Sequence, residues 1–247
     1  SLAKLIERES AWELTSGNEI KPLVNGDEAY PAMLDAIRNA ETSVWLLTYI
    51  FDREGPGREF AEALEAAQAR GVDVRVIIDD ASRFHANSPV EALLRRKGIA
   101  RTAFTPRSWW RRLVSLNLRN HRKIMVVDGV LGFTGGMNII PGHRLADGPT
   151  FPVRDIHFSV RGPVVQQLAA VFVEDWQFGT GGEVLEVPEM PPPSGDGIWA
   201  CGVPDGPDED FLNLHTVFCG ALSCAHEEIW ISTPYFLPDQ ILLNHLI

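Results

Sequence analysis

The sequence predicts an α/β fold, in which a mixed or mostly parallel sheet carries helices on both of its faces. Three observations support this prediction. Runs rich in β-branched and aromatic residues, such as "SVWLLTYIF" and "VDVRVIID", alternate with amphipathic helical patterns. Strands separated by helices tend to pair in parallel under helices on both faces. Hydrophobic residues make up 45% of the 247 residues, which is enough for a packed core.

The first elements follow from local signals in chain order. Residues 26–40 have a helical pattern, and Asp27 is placed to cap the N-terminus of that helix. A strand is predicted over 43–51, a helix over 58–71 and a second strand over 72–79.

The next elements include a hairpin. Residues 88–91, "SPVE", form a predicted capping box, and Gly98 ends the short helix that follows. Asp128-Gly129 is suited to a tight turn and joins the predicted strands "KIMVVD" and "VLGFTG". The strand "FSVRG" then precedes a helix over 163–176, whose apolar face comprises Val165, Leu168, Phe172 and Trp176.

A change in composition marks a domain boundary. Residues 178–209 contain seven Gly and six Pro, which is typical of a linker. Beyond it, residues 221–236 align with 36–51 at a constant offset of 185 and share five of 16 residues, which indicates that a second copy of the first unit begins there. The predicted domains are a first half over 1–180, a linker over 181–209 and the start of a second half over 210–247.

Composition argues against several classes of protein. No run reaches the roughly 18 to 20 apolar residues that span a bilayer, and no signal peptide opens the chain. The cysteines are too few and too irregular for a disulfide framework or a zinc site, which favours a reducing compartment. The net charge of −11 argues against a generally basic nucleic-acid binder. The chain begins at Ser1, so the sequence leaves open an upstream segment that carries a membrane anchor.

One segment departs from this acidic composition. Between Arg101 and Val127 there are seven basic residues and no Asp or Glu, which predicts an anion-attracting patch unless the run is only a solvated loop. Within it, tryptophans beside arginines suit a lipid headgroup interface. The same tryptophans could instead pack on the core, or stack on bases in a nucleic-acid complex. The residues proposed for membrane or headgroup contact are Trp109, Trp110, Arg111 and Arg112.

A polar pair interrupts the predicted hairpin. His121 and Lys123 are two residues apart, so they share one face of a strand, and a hydrophobic core would not select such a pair. An imidazole can attack phosphorus, and a neighbouring ammonium can compensate the charge on the non-bridging oxygens of a phosphodiester. The pair therefore suits the cleavage of a phosphodiester without a metal, and no cofactor is expected.

Neighbouring residues fit the same chemistry. The amide of Asn138 could donate to a phosphate oxygen. Gly135 and Gly136 leave room for a phosphate to approach the backbone, or they only relieve packing between the hairpin and a helix. Asp128 either supports catalysis or serves as the first residue of the turn.

Together these residues resemble the signature of the phospholipase D superfamily. The pattern H-x-K-x-x-x-x-D, followed by G-G-x-N, is formed by His121, Lys123, Asp128, Gly135, Gly136 and Asn138. Phrases along most of the chain, among them "ARGVDVRVIID", "RDIHFSVRGP", "FVEDW" and "TPYFLPD", are most similar to the bacterial cardiolipin synthase branch.

The resemblance implies a phospholipase D-like fold and a phosphatidyl transferase that works through a phosphohistidine on His121. It also implies that Asp155, the Asp of "RD", holds the second ring nitrogen of His121, although Asp155 could simply pair with Arg154 or Arg161. In this branch two such motifs, one per half, form a single active site, and this chain contains only the first motif. The expected partners are a phospholipid substrate, a membrane surface on the cytoplasmic side, and a second half or a second copy of the chain, with no nucleic acid.

Three alternatives stay open. The same chemistry could hydrolyse phospholipid to phosphatidic acid, or it could cleave nucleic acid. The chain alone could also be an inactive half-site that regains activity in a symmetric dimer, although the phrase "TPYFLPD" argues against that arrangement. His143 is expected to be a surface or structural residue, and the sequence assigns no role to His157.

Overall fold

The computed structural model describes residues 1–10, 12–79, 90–104, 120–187, 189, 196–204, 212–233 and 236–247. Its elements in chain order are α1 Leu2–Ser10, β1 Thr15–Val24, α2 Asn25–Asn39, β2 Ser43–Thr48, α3 Pro56–Ala69, β3 Asp73–Asp79, α4 Glu91–Arg96, β4 Ala100–Phe104, β5 Ile124–Val127, β6 Leu131–Gly135, β7 Ile156–Arg161, α5 Val164–Thr180, β8 Ile198–Ala200, α6 Asn213–Ser223 and α7 Gln240–Leu246. Two short 3-10 turns, Pro141–His143 and Leu145–Asp147, lie between β6 and β7.

Contacts divide the chain into two compact units. The larger comprises Ser16–Ile198, and the smaller comprises Ser1–Thr15 with Trp199–Ile247. The predicted halves over 1–180 and 210–247, with their linker over 181–209, stay predictions; much of that linker lies outside the described residues.

The sheet is mixed, in the order β4-β3-β2-β5-β6-β7-β1-β8. Strands β2, β3 and β4 pair in parallel, as expected for strands connected through helices. The remaining pairs from β2 through β5, β6 and β7 to β1 are antiparallel. The predicted α/β class with a mixed sheet is therefore confirmed.

Helices cover both faces of this sheet. All six residues of β2 are buried, as expected for a central strand. Leu46 belongs to one core cluster with Ile37 of α2 and Phe60 of α3. On the opposite face, Trp45 stacks on Phe172 of α5 with 5.4 Å between ring centroids. Neighbouring residues of β2 thus anchor helices on opposite sides, which confirms the predicted architecture.

The hairpin turn forms where the sequence predicts it. Asp128 and Gly129 have positive φ angles of 52° and 67°, which Asp and Gly tolerate better than most residues. The Val130 N–H donates to the carbonyl of Val127 over 3.1 Å and closes the turn. This geometry places β5 and β6 side by side, with Ile124 opposite Thr134.

One predicted boundary and one predicted helix cap are wrong. Strand β5 begins at Ile124, because its pairing with both β2 and β6 ends there; His121 and Lys123 therefore precede the strand and do not share a strand face. Asp27 does not cap α2, since its carboxylate accepts from the N–H groups of Leu145 and Ala146 instead.

Among its described residues, the regular secondary structure of the smaller unit comprises α1, α6, α7 and the ends of β1 and β8. Helix α6 packs on α1 and on α7. Residues 228–233, which the repeat aligns with β2, form no strand. Among the described residues, no helix has both the length and the apolar character needed to cross a bilayer. The predicted capping box begins at Ser88 and Pro89, which lie outside the described residues.

Candidate active site

His121 lies at the end of the sheet that is formed by the carboxyl ends of β2 and β3. Because β5 runs antiparallel to β2, with Ile124 opposite Leu47, residues just before β5 meet residues just after β2. The rings of His121 and Tyr49 accordingly lie 4.3 Å apart between centroids, at an angle of 50°. Tyr49 is 8% exposed, whereas His121 is exposed. The imidazole thus rests on a buried ring and remains open to a substrate.

Lys123 shares this setting. Its Nζ donates to the carbonyl of His121 over 2.6 Å and lies 5.5 Å from the centroid of the Tyr49 ring, within cation–π range. Burial lowers the pKa of the Lys123 ammonium, while the carboxylates of Asp155 and Asp79 oppose that shift. The structure therefore brings the predicted pair together beside two anionic groups.

Asp155 lies just before β7, close to Gly136. A Cβ added to Gly136 would sit 2.5 Å from both carboxylate oxygens of Asp155. A hydrogen bond restrains the carboxylate, because its Oδ1 accepts from the Ile156 N–H over 2.7 Å. The Asp155 N–H donates to Asn25 Oδ1 over 3.1 Å. Asp155 is thus fixed both at its backbone and at its side chain.

Gly135 and Asn138 also have structural partners. Gly135 has a φ of 148°, and a Cβ there would lie 2.8 Å from the Cα and Nδ1 of His157. The Oδ1 of Asn138 accepts from the Ile50 N–H over 3.1 Å, and the hydroxyl of Tyr30 donates to the Asn138 carbonyl over 2.8 Å. The two glycines make room for Asp155 and His157, so their predicted contact with phosphate stays a prediction.

Two histidines that the sequence did not assign to the site are buried beside it. His143 and His157 are each 2% exposed. Burial lowers the pKa of His143, and the charges of Asp155 and Lys123 act on it in opposite directions. Burial, followed by His143 and Lys123, lowers the pKa of His157 to about 4. A usable sequence signal was the position of His157 only two residues after Asp155, which is a predicted site residue.

Acidification is expected to destabilise the fold through His157. Its pKa falls from 6.5 to about 4 on folding. The neutral imidazole therefore contributes fully to the free energy of unfolding above about pH 6.5, and this contribution is lost as the pH falls toward 4. The loss reaches roughly 2 kcal/mol by about pH 4.5. Urea unfolding at about pH 7 and pH 4.5 should show that His157→Leu loses roughly 2 kcal/mol less than the wild type between the two. Equal losses would contradict a neutral, buried His157.

Asp128 lies beyond the opposite end of β5 from His121. Its carboxylate accepts from the N–H groups of Glu41, Thr42 and Ser43 and from the Thr42 hydroxyl, over 2.7–3.2 Å. Burial alone would raise the pKa of Asp128, but the N–H donors of Ser43, Glu41 and Thr42 outweigh it and lower the pKa. The structure does not bring this side chain together with the rest of the predicted site.

Replacing Asp128 with alanine is therefore expected to weaken the fold more than the chemistry. Loss of hydrogen bonds to a charged group, at a residue with positive φ, should cost about 2 kcal/mol of unfolding free energy, measurable by denaturant titration. Asp128→Asn tolerates the same φ and keeps one acceptor oxygen, so it should lose less. A large fall in kcat without a change in stability would instead support a catalytic role.

The remaining site predictions lie outside the described residues. They concern Trp109, Trp110, Arg111 and Arg112, whose proposed contact with membrane or headgroup stays a prediction. Within the described part of the chain, no group of three or more His, Cys, Asp or Glu side chains is arranged to hold a metal ion.

Comparison with known proteins places these features in a family. Residues 33–176, which run from the second half of α2 into α5, match the family described as "Cardiolipin synthase, PLD-like domain". The chain is 36% identical over 233 residues to cardiolipin synthase A of Pseudomonas fluorescens SBW25, covering 94% of this chain and 48% of that protein. It is 32% identical over 248 residues to cardiolipin synthase 2 of Bacillus anthracis, covering 99% and 48%.

A solved structure agrees at the level of the fold. The chain is similar to Nuc from Salmonella typhimurium, a phospholipase D family member, with a TM-score of 0.50 and 20% identity over 66% of this chain and 96% of that one. The chain spans about half the length of the curated relatives that it matches. The match over 33–176, which is more than half of the chain, shows that the chain belongs to the family described as "Cardiolipin synthase, PLD-like domain".

Proposed function

We propose that this chain is the first half of a phosphatidyl transferase that makes cardiolipin. The observation that carries the proposal is the exposed imidazole of His121 beside the half-buried ammonium of Lys123, whose pKa the fixed carboxylate of Asp155 acts to raise. Relatives named cardiolipin synthase support the choice of a phospholipid substrate. The acidic net charge of −11 favours a lipid over nucleic acid as substrate.

The reaction would proceed in two displacements. In the first, an imidazole nitrogen of His121 bonds to the phosphorus of phosphatidylglycerol while the bond from phosphorus to the glycerol headgroup oxygen breaks, and glycerol leaves with one proton. In the second, the headgroup hydroxyl of another phosphatidylglycerol loses its proton and bonds to phosphorus. The nitrogen–phosphorus bond then breaks, which releases cardiolipin and returns His121 to its starting state.

Each residue of the site would have a distinct task. Lys123 would offset the charge that develops on the non-bridging oxygens, and the amide of Asn138 would donate to one of them. Asp155 would hold the second ring nitrogen of His121, so that the attacking nitrogen carries no proton. The scheme requires no metal, and the proton on the leaving group would come from the histidine of a second motif.

That second motif would belong to the second half of the protein, whose start we assign to 210–247 after a linker over 181–209. The relatives are about twice as long as the matched region, which leaves room for such a half. We further propose that the protein works at the cytoplasmic face of a bacterial membrane, where the segment around Trp109 would meet lipid headgroups.

Product analysis tests this function. The full-length protein and the 247-residue chain are incubated in parallel with phosphatidylglycerol liposomes in EDTA, and the lipids are identified by mass spectrometry. Cardiolipin and glycerol from the full-length protein alone would support a metal-independent transferase that needs both halves. Phosphatidic acid without cardiolipin would indicate a hydrolase, and the absence of lipid turnover would redirect the assignment to nucleic-acid substrates.

A further inference from the structure

The two residues that flank His121 are held by one carboxylate. Asn120 Nδ2 donates to Asp175 Oδ2 over 2.7 Å, and Arg122 Nη1 donates to Asp175 Oδ1 over 2.8 Å. Asp175 lies on α5 and is 3% exposed, and Asn120 is 4% exposed. The carboxylate therefore holds the chain on both sides of His121 from inside the protein.

A second set of hydrogen bonds completes the arrangement. The Asn120 N–H donates to Asp79 Oδ2 at the end of β3 over 2.8 Å. The Arg122 N–H donates to Asn120 Oδ1 over 3.0 Å, which closes a local turn around His121. The residues immediately before and after His121 are thus held at their backbone N–H groups by β3 and by the local turn, and at their side chains by α5.

This network is an unusual choice for stability alone. Burial raises the pKa of Asp175, and the charge of Arg122 with its hydrogen bonds opposes that shift only in part. Well-packed apolar side chains often stabilise a core as well as a buried ion pair does, because both charges lose their hydration. Buried polar groups that are fully hydrogen-bonded do, however, fix one geometry. The network is therefore better explained by the position of His121 than by stability.

We propose that Asp175 is a positioning residue which, through Asn120 and Arg122, fixes the backbone of His121 and so the direction from which its imidazole meets phosphorus. The inference rests on the proposed function, since it assigns His121 as the nucleophile. Displacement of a reacting group by about 1 Å can lower a rate by about 100-fold. A small change in the 120–122 backbone is therefore sufficient to affect the reaction.

The test compares Asp175→Asn with a control on the same helix. Asn keeps the size of the side chain but can accept only one of the two bonds. Val171→Ala removes buried volume one turn away, at a residue that is 5% exposed and makes no part of the network. In the full-length protein, with phosphatidylglycerol liposomes, we expect Asp175→Asn to lower kcat roughly 10- to 100-fold with little change in KM. Val171→Ala should lose thermal stability but keep its kcat within about threefold.

A rescue variant separates positioning from general destabilisation. Asn120→Asp combined with Asp175→Asn reverses the donor and acceptor between α5 and residue 120 and leaves the net charge unchanged. We expect it to recover most of the kcat that Asp175→Asn loses. If kcat instead follows the melting temperature across all of these variants, the role is structural and the inference is wrong.

Hydrogen exchange provides a readout that does not depend on turnover. The Arg122 amide should exchange at least about tenfold faster in Asp175→Asn, because the turn that protects it loosens, and it should be unchanged in Val171→Ala. Unchanged exchange in Asp175→Asn would overturn the inference. If the wild type turns over no lipid, the proposed function fails, whereas the exchange result still decides whether Asp175 fixes the chain around His121.

Discussion

Replacing His121 with alanine is expected to lower phosphatidyl transfer by about 10⁴-fold or more, because the reaction would lose its nucleophile. His121 is exposed and its ring contacts the Tyr49 ring, so the variant should keep nearly the wild-type melting temperature. Cardiolipin formed from phosphatidylglycerol liposomes by the full-length protein, quantified by mass spectrometry, measures the effect.

Covalent trapping provides the control for this result. Phosphatidylglycerol labelled at phosphorus should leave an acid-labile label on the wild-type protein and none on His121→Ala. Lys123→Gln should retain some label while it turns over slowly, since it keeps the nucleophile and loses the compensating charge. Full transfer activity in His121→Ala would rule out His121 as the nucleophile, regardless of the labelling and turnover of Lys123→Gln.

Much of the fold can be predicted from local patterns. Strand β2 follows from the apolar run "VWLL", and all of its residues are buried. Strand β3 follows from its β-branched residues, although the partly buried Asp73 and Arg75 interrupt its first half. Strand β1 could not be predicted in the same way, because "TSGNEIKPLV" mixes polar residues with Gly17 and Pro22 and its burial pattern is irregular. Its position depends instead on antiparallel pairing with β7, which is distant in sequence.

Parts of the candidate site likewise depend on contacts between segments that are distant in sequence, which local patterns do not predict. The motif identifies His121 and Lys123 because their chemistry is visible in the sequence. The burial of His157 and the hold of Asp175 on both neighbours of His121 depend on contacts between distant elements. Asp128 belongs to the motif but bonds to residues 41–43, and no local pattern distinguishes that tether from a catalytic contact.

Replacing Gly136 with alanine is expected to reduce phosphatidyl transfer roughly 100-fold and to cost about 1 to 3 kcal/mol of unfolding free energy. A Cβ at this position would lie 2.5 Å from both carboxylate oxygens of Asp155, well inside van der Waals contact. The carboxylate cannot move freely, because it accepts from the Ile156 N–H and its backbone is bonded to Asn25. Asp155 must therefore leave the position in which it would orient His121. Steady-state kinetics and denaturant unfolding measure the two effects.

A double-mutant cycle separates this steric effect from a general effect of the added methyl group. Asp155→Ala removes both of the oxygens that the new Cβ would meet, so Gly136→Ala should cost little further stability in that background. The expected coupling energy is about 1 to 2 kcal/mol, in the direction of relief. Transfer activity should be low in Asp155→Ala, and Gly136→Ala should hardly lower it further, because both substitutions remove the same support of His121. Additive losses in both measurements would show that Gly136 acts on the site independently of Asp155, for instance by direct approach to the phosphate.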